Sequence, residues 1–139
     1  MGTQDLCTTN HAVYALHYHL ILVTKYRRKV LMPAVLERAL PITEDIARRW
    51  GGAVQEANGE ADHWHALVSL PPRVAPSAFV GNLKTVLSRR LRAEFTGLRA
   101  AYRGQAVLWS PSYFVVSAGG APLEVLRRYI ENQGIELHP

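Results

Sequence analysis

DHWHALVSL, residues 62–70, alternates in a way that settles how the chain folds. Trp64, Ala66, Val68 and Leu70 fall on one side of an extended strand, and His63, His65, Leu67 and Ser69 on the other. The first set is uniformly apolar and marks the core face, so the strand belongs to a sheet covered on one side. Upstream, AVQEAN at 53–58 reads as a short partner strand, with Gly59 turning the chain. Downstream, Pro71 and Pro72 stop the strand. A helix from about Ser77 to Phe95 then places Val80, Leu83, Leu87 and Leu91 on a buried face.

The same reading extends to both ends. HAVYALHYHLILVT, residues 11–24, lacks Gly and Pro and predicts a long central strand, followed by the basic turn KYRRK. Pro33 suits the first turn of a helix that runs to about Trp50, with Leu36, Leu40, Thr43, Ala47 and Trp50 as its stripe. Pro41 is expected to kink or split that helix. Residues 96–108 read as a loop and SYFVVSA, 112–118, as a strand. Gly119 and Gly120 make a hinge-like break, and Pro122 opens a final helix ending at Gly134. Strand, helix, strand, strand, helix, strand and an added helix make an α+β, ferredoxin-like antiparallel sheet. Its helices lie on one face and leave the other available to a ligand.

Composition narrows the class. The 139 residues suit one domain spanning 1–139, with residues 1–10 expected to fray. Apolar content of 48% against 19% charged residues describes a globular chain. A single cysteine, Cys7, excludes an internal disulfide framework and suits a reducing compartment. No run is long and apolar enough to span a membrane, and the N-terminus lacks a signal-peptide pattern, so a cytoplasmic protein is expected. The formal charge is +5. Lys25, Arg27, Arg28 and Lys29 cluster about Tyr26; Lys84, Arg89, Arg90 and Arg92 share a helix; Arg127 and Arg128 precede Tyr129. Solvated surface accounts for any one such cluster. Cations beside aromatics, however, match what phosphates and unpaired bases require.

Two histidine pairs invite a metal reading. His63 and His65 project to one side of their strand and can converge on a cation. His17 and His19 have the same spacing on the first strand, and spacing does not choose between the pairs. In a ferredoxin-like sheet those strands are central neighbours, which brings His17 or His19 to the same face. Asp62 is placed to orient an imidazole through its second nitrogen, although a strand-entry residue would look the same. On the final helix Tyr129 and Gln133 are one turn apart. A phenol is capable of attacking phosphorus, and the Gln133 amide oxygen of completing a cation site with the two imidazoles. Such a nitrogen and oxygen set suits Mg²⁺ or Mn²⁺. Six tyrosines are present, and spacing alone does not select one.

Four segments together carry a likeness: HAVYALHYHLILVTKYRRKVL (11–31), DHWHALVSL (62–70), LWSPSYFVVSAGG (108–120) and RRYIENQG (127–134). The chain resembles the small HUH-type, single-tyrosine transposases of the insertion-sequence 200/605 group over about residues 11–134. The resemblance implies that His63, Trp64 and His65 are the histidine–hydrophobe–histidine motif, Tyr129 the nucleophile and Gln133 the third metal ligand. It implies a metal-dependent enzyme that cuts and rejoins single-stranded DNA at subterminal hairpins through a 5′-phosphotyrosine. It further implies a homodimer whose final helices are shared between active sites, at work on the nucleoid of a bacterial or archaeal cell. No nucleotide cofactor is expected, in keeping with the lack of a GxxxxGK[ST] loop. Lys25, Tyr26, Arg27, Arg28, Lys84, Arg89 and Arg90 are the candidate DNA contacts. Trp64 is bulkier than the family's usual aliphatic, and Pro41 is an unusual residue within the first helix. A domesticated relative acting on repeated palindromes, a rolling-circle initiator nuclease, a non-catalytic ferredoxin-like nucleic-acid-binding module and a metal-binding regulator are the competing readings.

Overall fold

The computed structural model describes residues 16–118, together with 7–8, 13–14 and 131. Two short strands, β1 (Cys7–Thr8) and β2 (Val13–Tyr14), pair with each other. The main elements follow: β3 (His17–Thr24), a 3₁₀ turn (Lys25–Arg27), α1 (Pro33–Arg49), β4 (Ala53–Glu60), β5 (His63–Ser69), α2 (Pro76–Glu94), α3 (Thr96–Ala101) and β6 (Trp109–Ser117). The four long strands form an antiparallel sheet in the order β4-β5-β3-β6. This is the ferredoxin-like arrangement expected, with the first and third strands of the unit central. Among the described residues no helix is long and apolar enough to cross a membrane.

Both helices cover the face that alternation marked as core. Trp64, Ala66 and Val68 of β5 and Leu20 and Leu22 of β3 are buried with Phe79, Val80, Leu83, Leu87 and Leu91 of α2. On α1 the buried stripe is Val35, Ala39, Ile42, Thr43, Ile46 and Ala47. It is therefore rotated by about one position from the expected one: Leu36, Leu40 and Trp50 sit half-buried at its edge. Pro41 neither kinks nor splits α1, which is continuous. Pro41 and Glu37, whose carbonyl loses its partner, are both exposed, so water is free to replace the missing hydrogen bond.

Other boundaries also move. The long strand expected over 11–24 is two strands, because β2 pairs with β1 whereas β3 pairs with β5 and β6. The loop expected over 96–108 contains α3, whose one buried side chain, Leu98, gives no periodicity to read. The last strand starts at Trp109 rather than at 112; Pro111 is tolerated because β6 is an edge strand.

Gly59 does not turn the chain. It lies within β4 opposite Trp64, and the turn falls at residues 61–62. A Cβ at Gly59 would stand 2.4 Å from the His63 carbonyl oxygen and 3.0 Å from the Trp64 ring. Glycine is thus what lets the bulky Trp64 lie flat under its neighbouring strand. The indole is satisfied from the other side: Trp64 Nε1 donates to Thr43 Oγ1 at 3.1 Å, and that hydroxyl donates to the Ala39 carbonyl at 2.7 Å. Thr43→Val keeps the shape but strands a buried indole N–H, and is expected to cost about 1–3 kcal/mol of stability in urea denaturation. Unchanged stability would mean that this bond contributes nothing.

Candidate metal centre and nucleic-acid interface

The register of the sheet gathers the polar residues on the face away from the helices. Across β3 and β5, His17 pairs with Ser69, His19 with Leu67, Ile21 with His65 and Val23 with His63. Directly paired residues share a face, so His17, His19, His63 and His65 all lie on the same side. Glu56, Asn58 and Glu60 of β4 join them through their pairing with Leu67, His65 and His63. This face is not bare of apolar groups. Ile21 and Val23 are each 1% exposed and pack with Phe114 and Val116 of β6.

Asp62 organises one end of this face. Its Oδ1 lies 2.9 Å from His63 Nδ1, and its Oδ2 accepts from Arg27 Nε at 2.7 Å. Burial pushes the carboxyl up, but the hydrogen bonds from His63 and Arg27 and the charge of Arg27 outweigh it and hold Asp62 below its ordinary value. With Nδ1 engaged by a carboxylate, His63 presents Nε2 as its remaining donor, the arrangement that prepares an imidazole for a cation. Asp62→Asn is expected to weaken Mn²⁺ binding about 10–100-fold by titration calorimetry; wild-type affinity would show that Asp62 does not prepare His63.

His65 has a different neighbour. Its Nε2 lies 3.1 Å from His19 Nδ1, and the two rings stack at 5.3 Å between centroids. Burial holds His65 below its ordinary pKa, helped by His19 and His63 and opposed by Glu56; burial does the same to His19 against Glu56. Both rings are therefore held neutral, as a metal ligand must be. Nδ1 of His65 is left for a cation, or Nε2 once the His19 contact opens. Among the described residues no group of three or more histidine, cysteine, aspartate or glutamate side chains could hold a metal ion. His63 and His65 supply two imidazole nitrogens on one face, and a cation there would need a further ligand. Tyr129 and Gln133 lie outside the described residues, as do the Gly119-Gly120 break and Pro122; Glu131 is helical and exposed.

The candidate DNA contacts divide. Lys25, Tyr26, Arg27 and Arg28 follow β3 at the Asp62–His63 end of the sheet, where Thr24 N–H donates to the Asp62 carbonyl. Arg27 is committed to Asp62. Arg28 lies 5.4 Å from the Tyr26 ring centroid and 5.0 Å from that of Tyr102, and donates to the Ala101 carbonyl. Lys84, Arg89 and Arg90 ride on α2, in the helical layer on the far side of the sheet. Lys84 is half-buried and donates to the Ser110 and Pro111 carbonyls at 2.8 and 3.1 Å; burial lowers its pKa. Arg90 reaches Asp45 at 3.7 Å, and Arg89 is exposed. The structure does not bring these three to the histidine face. Tyr102, Arg103 and Gln105 were not singled out in the sequence, although Tyr102-Arg103 repeats the Tyr26-Arg27 dipeptide, the one signal available.

Comparison with known proteins bears on most of the chain. The family model described as "Transposase IS200 like" matches residues 12–133. The ISDra2 transposase TnpA of Deinococcus radiodurans is 36% identical over 121 residues, covering 87% of this chain and 86% of that protein. The transposase for insertion sequence element IS200 of Salmonella typhimurium is 28% identical over 123 residues, covering 88% and 80%. A crystal structure of a candidate transposase from Deinococcus radiodurans superposes with a TM-score of 0.82 at 34% identity, covering 91% of this chain and 97% of that one. A REP-associated tyrosine transposase bound to a REP hairpin shares the fold at a TM-score of 0.53 and 12% identity, covering 89% and 69%.

Proposed function

This chain belongs to the IS200-like transposase family, and from that starting point we propose that it cuts and rejoins single-stranded DNA at insertion-sequence ends, with Tyr129 as nucleophile and a Mg²⁺ or Mn²⁺ ion held by His63, His65 and Gln133. Membership makes it a DNA-acting transposase. The observation that supports the finer reading is the pair of imidazoles, His63 and His65, on one sheet face, with His63 already oriented by Asp62.

The phenol oxygen of Tyr129 attacks the scissile phosphorus. The new bond is a 5′-phosphotyrosine, the bond to the departing 3′-oxygen breaks and that oxygen takes a proton from solvent to become a 3′-hydroxyl, and the phenol proton leaves to solvent or a nearby base. A 3′-hydroxyl from another end then attacks the same phosphorus, its proton leaves, and the tyrosine oxygen departs and is reprotonated. The number of phosphodiester bonds is conserved, so no nucleotide is consumed. When bound, the cation withdraws charge from a non-bridging phosphate oxygen and makes phosphorus more electrophilic. His63 and His65 hold the site and Asp62 fixes the His63 tautomer. Arg27, braced on Asp62, adds positive charge beside it. The substrate is a subterminal DNA hairpin, and the working form is a homodimer, in the cytoplasm, in which Tyr129 of one subunit serves His63 and His65 of the other.

The experiment is incubation with Mg²⁺ or Mn²⁺ and a labelled single-stranded hairpin from the flanks of the chain's own gene. A protein–DNA band that survives denaturation is expected, and is lost with EDTA. Salt-sensitive binding without such a band would leave a non-catalytic binding module as the reading.

A further inference from the structure

We propose that the cleft between the Lys25–Arg28 turn and the segment after α3 holds one unpaired nucleotide of the DNA strand, its base stacked on Tyr26. The cleft measures about 420 Å³ and is lined by Tyr26, Arg28, Tyr102, Arg103 and Gln105. That size lies within the range of small-ligand sites, roughly 300–1,000 Å³. Taking DNA as the ligand rests on the strand-cutting reading above.

The chemistry of the lining is that of a nucleotide. Tyr26 is 42% exposed, whereas most large apolar side chains of the described chain are buried. Lys25 Nζ and the Arg28 guanidinium lie 5.5 and 5.4 Å from its ring centroid, so its face is held beside two cations. Flat aromatic faces next to cations are what single-stranded nucleic acid binds, bases stacking while phosphates meet the charge. Arg28 is fixed between the Tyr26 and Tyr102 rings, and Tyr102 is itself locked by donating to the Lys25 carbonyl at 2.8 Å. Exposed Arg103 adds a third cation, and exposed Gln105 carries both a donor and an acceptor for a base edge.

The backbone supports the assignment independently. Tyr26 (φ 59°), Arg27 (φ 54°) and Arg103 (φ 55°) are the described non-glycine residues with positive φ. Tyr26 and Arg103 line the cleft and Arg27 adjoins it, and Gly104 (φ 78°) follows Arg103 in the same region, so each wall carries two consecutive left-handed residues. Side chains in the left-handed region cost stability and persist where the structure over-determines them, characteristically at binding sites. A solvated basic turn needs no such strain, since a glycine at 26 would adopt the same backbone freely.

The position suits the reaction. Arg27 ties the turn to Asp62, which holds His63, and Val23 pairs with His63 in the sheet. The cleft therefore lies by the end of the sheet that carries Asp62 and His63, and a base stacked on Tyr26 would belong to a strand that passes that end.

The test uses the whole protein in EDTA, a short single-stranded oligonucleotide containing one 2-aminopurine, and the variants Tyr26→Phe and Tyr26→Gly. Wild type and Tyr26→Phe should bind alike and quench the analogue by stacking. Tyr26→Gly relieves the left-handed strain, so its melting temperature should hold or rise while affinity falls about tenfold and quenching is lost. Binding and quenching by Tyr26→Gly at wild-type levels would overturn the proposal and leave the strand-cutting reading intact. Failure of the wild type to bind the oligonucleotide at all would overturn both.

Discussion

Tyr129→Phe should abolish the denaturation-resistant protein–DNA band while leaving hairpin affinity within about twofold of wild type, since deleting one hydroxyl costs little binding. The asymmetry is the informative part. A phenyl ring retains the shape and stacking of tyrosine but has no oxygen with which to bond phosphorus, so the covalent step is not slowed but removed. Two other tyrosines, Tyr102 and Tyr26, are poor substitutes. Tyr102 is buried and its hydroxyl is engaged at the Lys25 carbonyl, and burial raises its pKa. Tyr26 is accessible, but its ring faces cations on the turn rather than the histidines. A Tyr129→Phe protein that still forms the adduct would move the nucleophile elsewhere.

His63→Ala should remove both cleavage and metal affinity, with Mn²⁺ binding falling by more than about 100-fold, because losing a ligand exceeds losing the group that orients it. The fold should survive: His63 is on the face away from the main core, and its neighbours Trp64 and Gly59 make the packing contacts. The same variant tests how active sites are assembled. If Tyr129 of one subunit serves the histidines of the other, a mixed dimer of His63→Ala and Tyr129→Phe subunits contains one complete site. Mixing the two inactive proteins should then restore adduct formation to about half the wild-type level at most, since one intact site per mixed dimer is the ceiling. If sites form within a subunit, every site in the mixture lacks one group and no adduct appears.

The sheet and its buried face were legible because Trp64, Ala66, Val68 and Leu70 are all apolar at alternate positions, whereas His63, His65 and Ser69 break the run on the other face. The α2 stripe was legible for the same reason: Val80, Leu83, Leu87 and Leu91 all sit inside. On α1 the pattern placed Thr43 and Ala47 inside, as they are, but misled by a position elsewhere, since Leu36, Leu40 and Trp50 are more apolar than Ala39 yet lie further from the core. What holds the Thr43 hydroxyl there is Trp64, a partner 21 residues away that a local window does not contain. Gly59 was misread because a glycine before a turn and a glycine under a tryptophan look alike until the register is known. The clustering of His17, His19, His63 and His65 followed from topology alone. Two features did not: the contact between His19 and His65, and the pairing of Tyr102 with the basic turn across 77 residues. Both depend on side-chain positions that periodicity leaves open. The cations of α2 show the converse case: the helix was legible, but periodicity does not say that Lys84, Arg89 and Arg90 lie on the side of the sheet opposite the histidines.

Mass spectrometry of the proteolysed adduct, formed with Mn²⁺ on a hairpin substrate, identifies the linked residue directly. The peptide carrying Tyr129 should bear the oligonucleotide through its 5′-phosphate, and His63→Ala should yield no modified peptide. An oligonucleotide on any other residue, or undiminished modification without His63, would contradict the pairing of a C-terminal phenol with the imidazoles of β5.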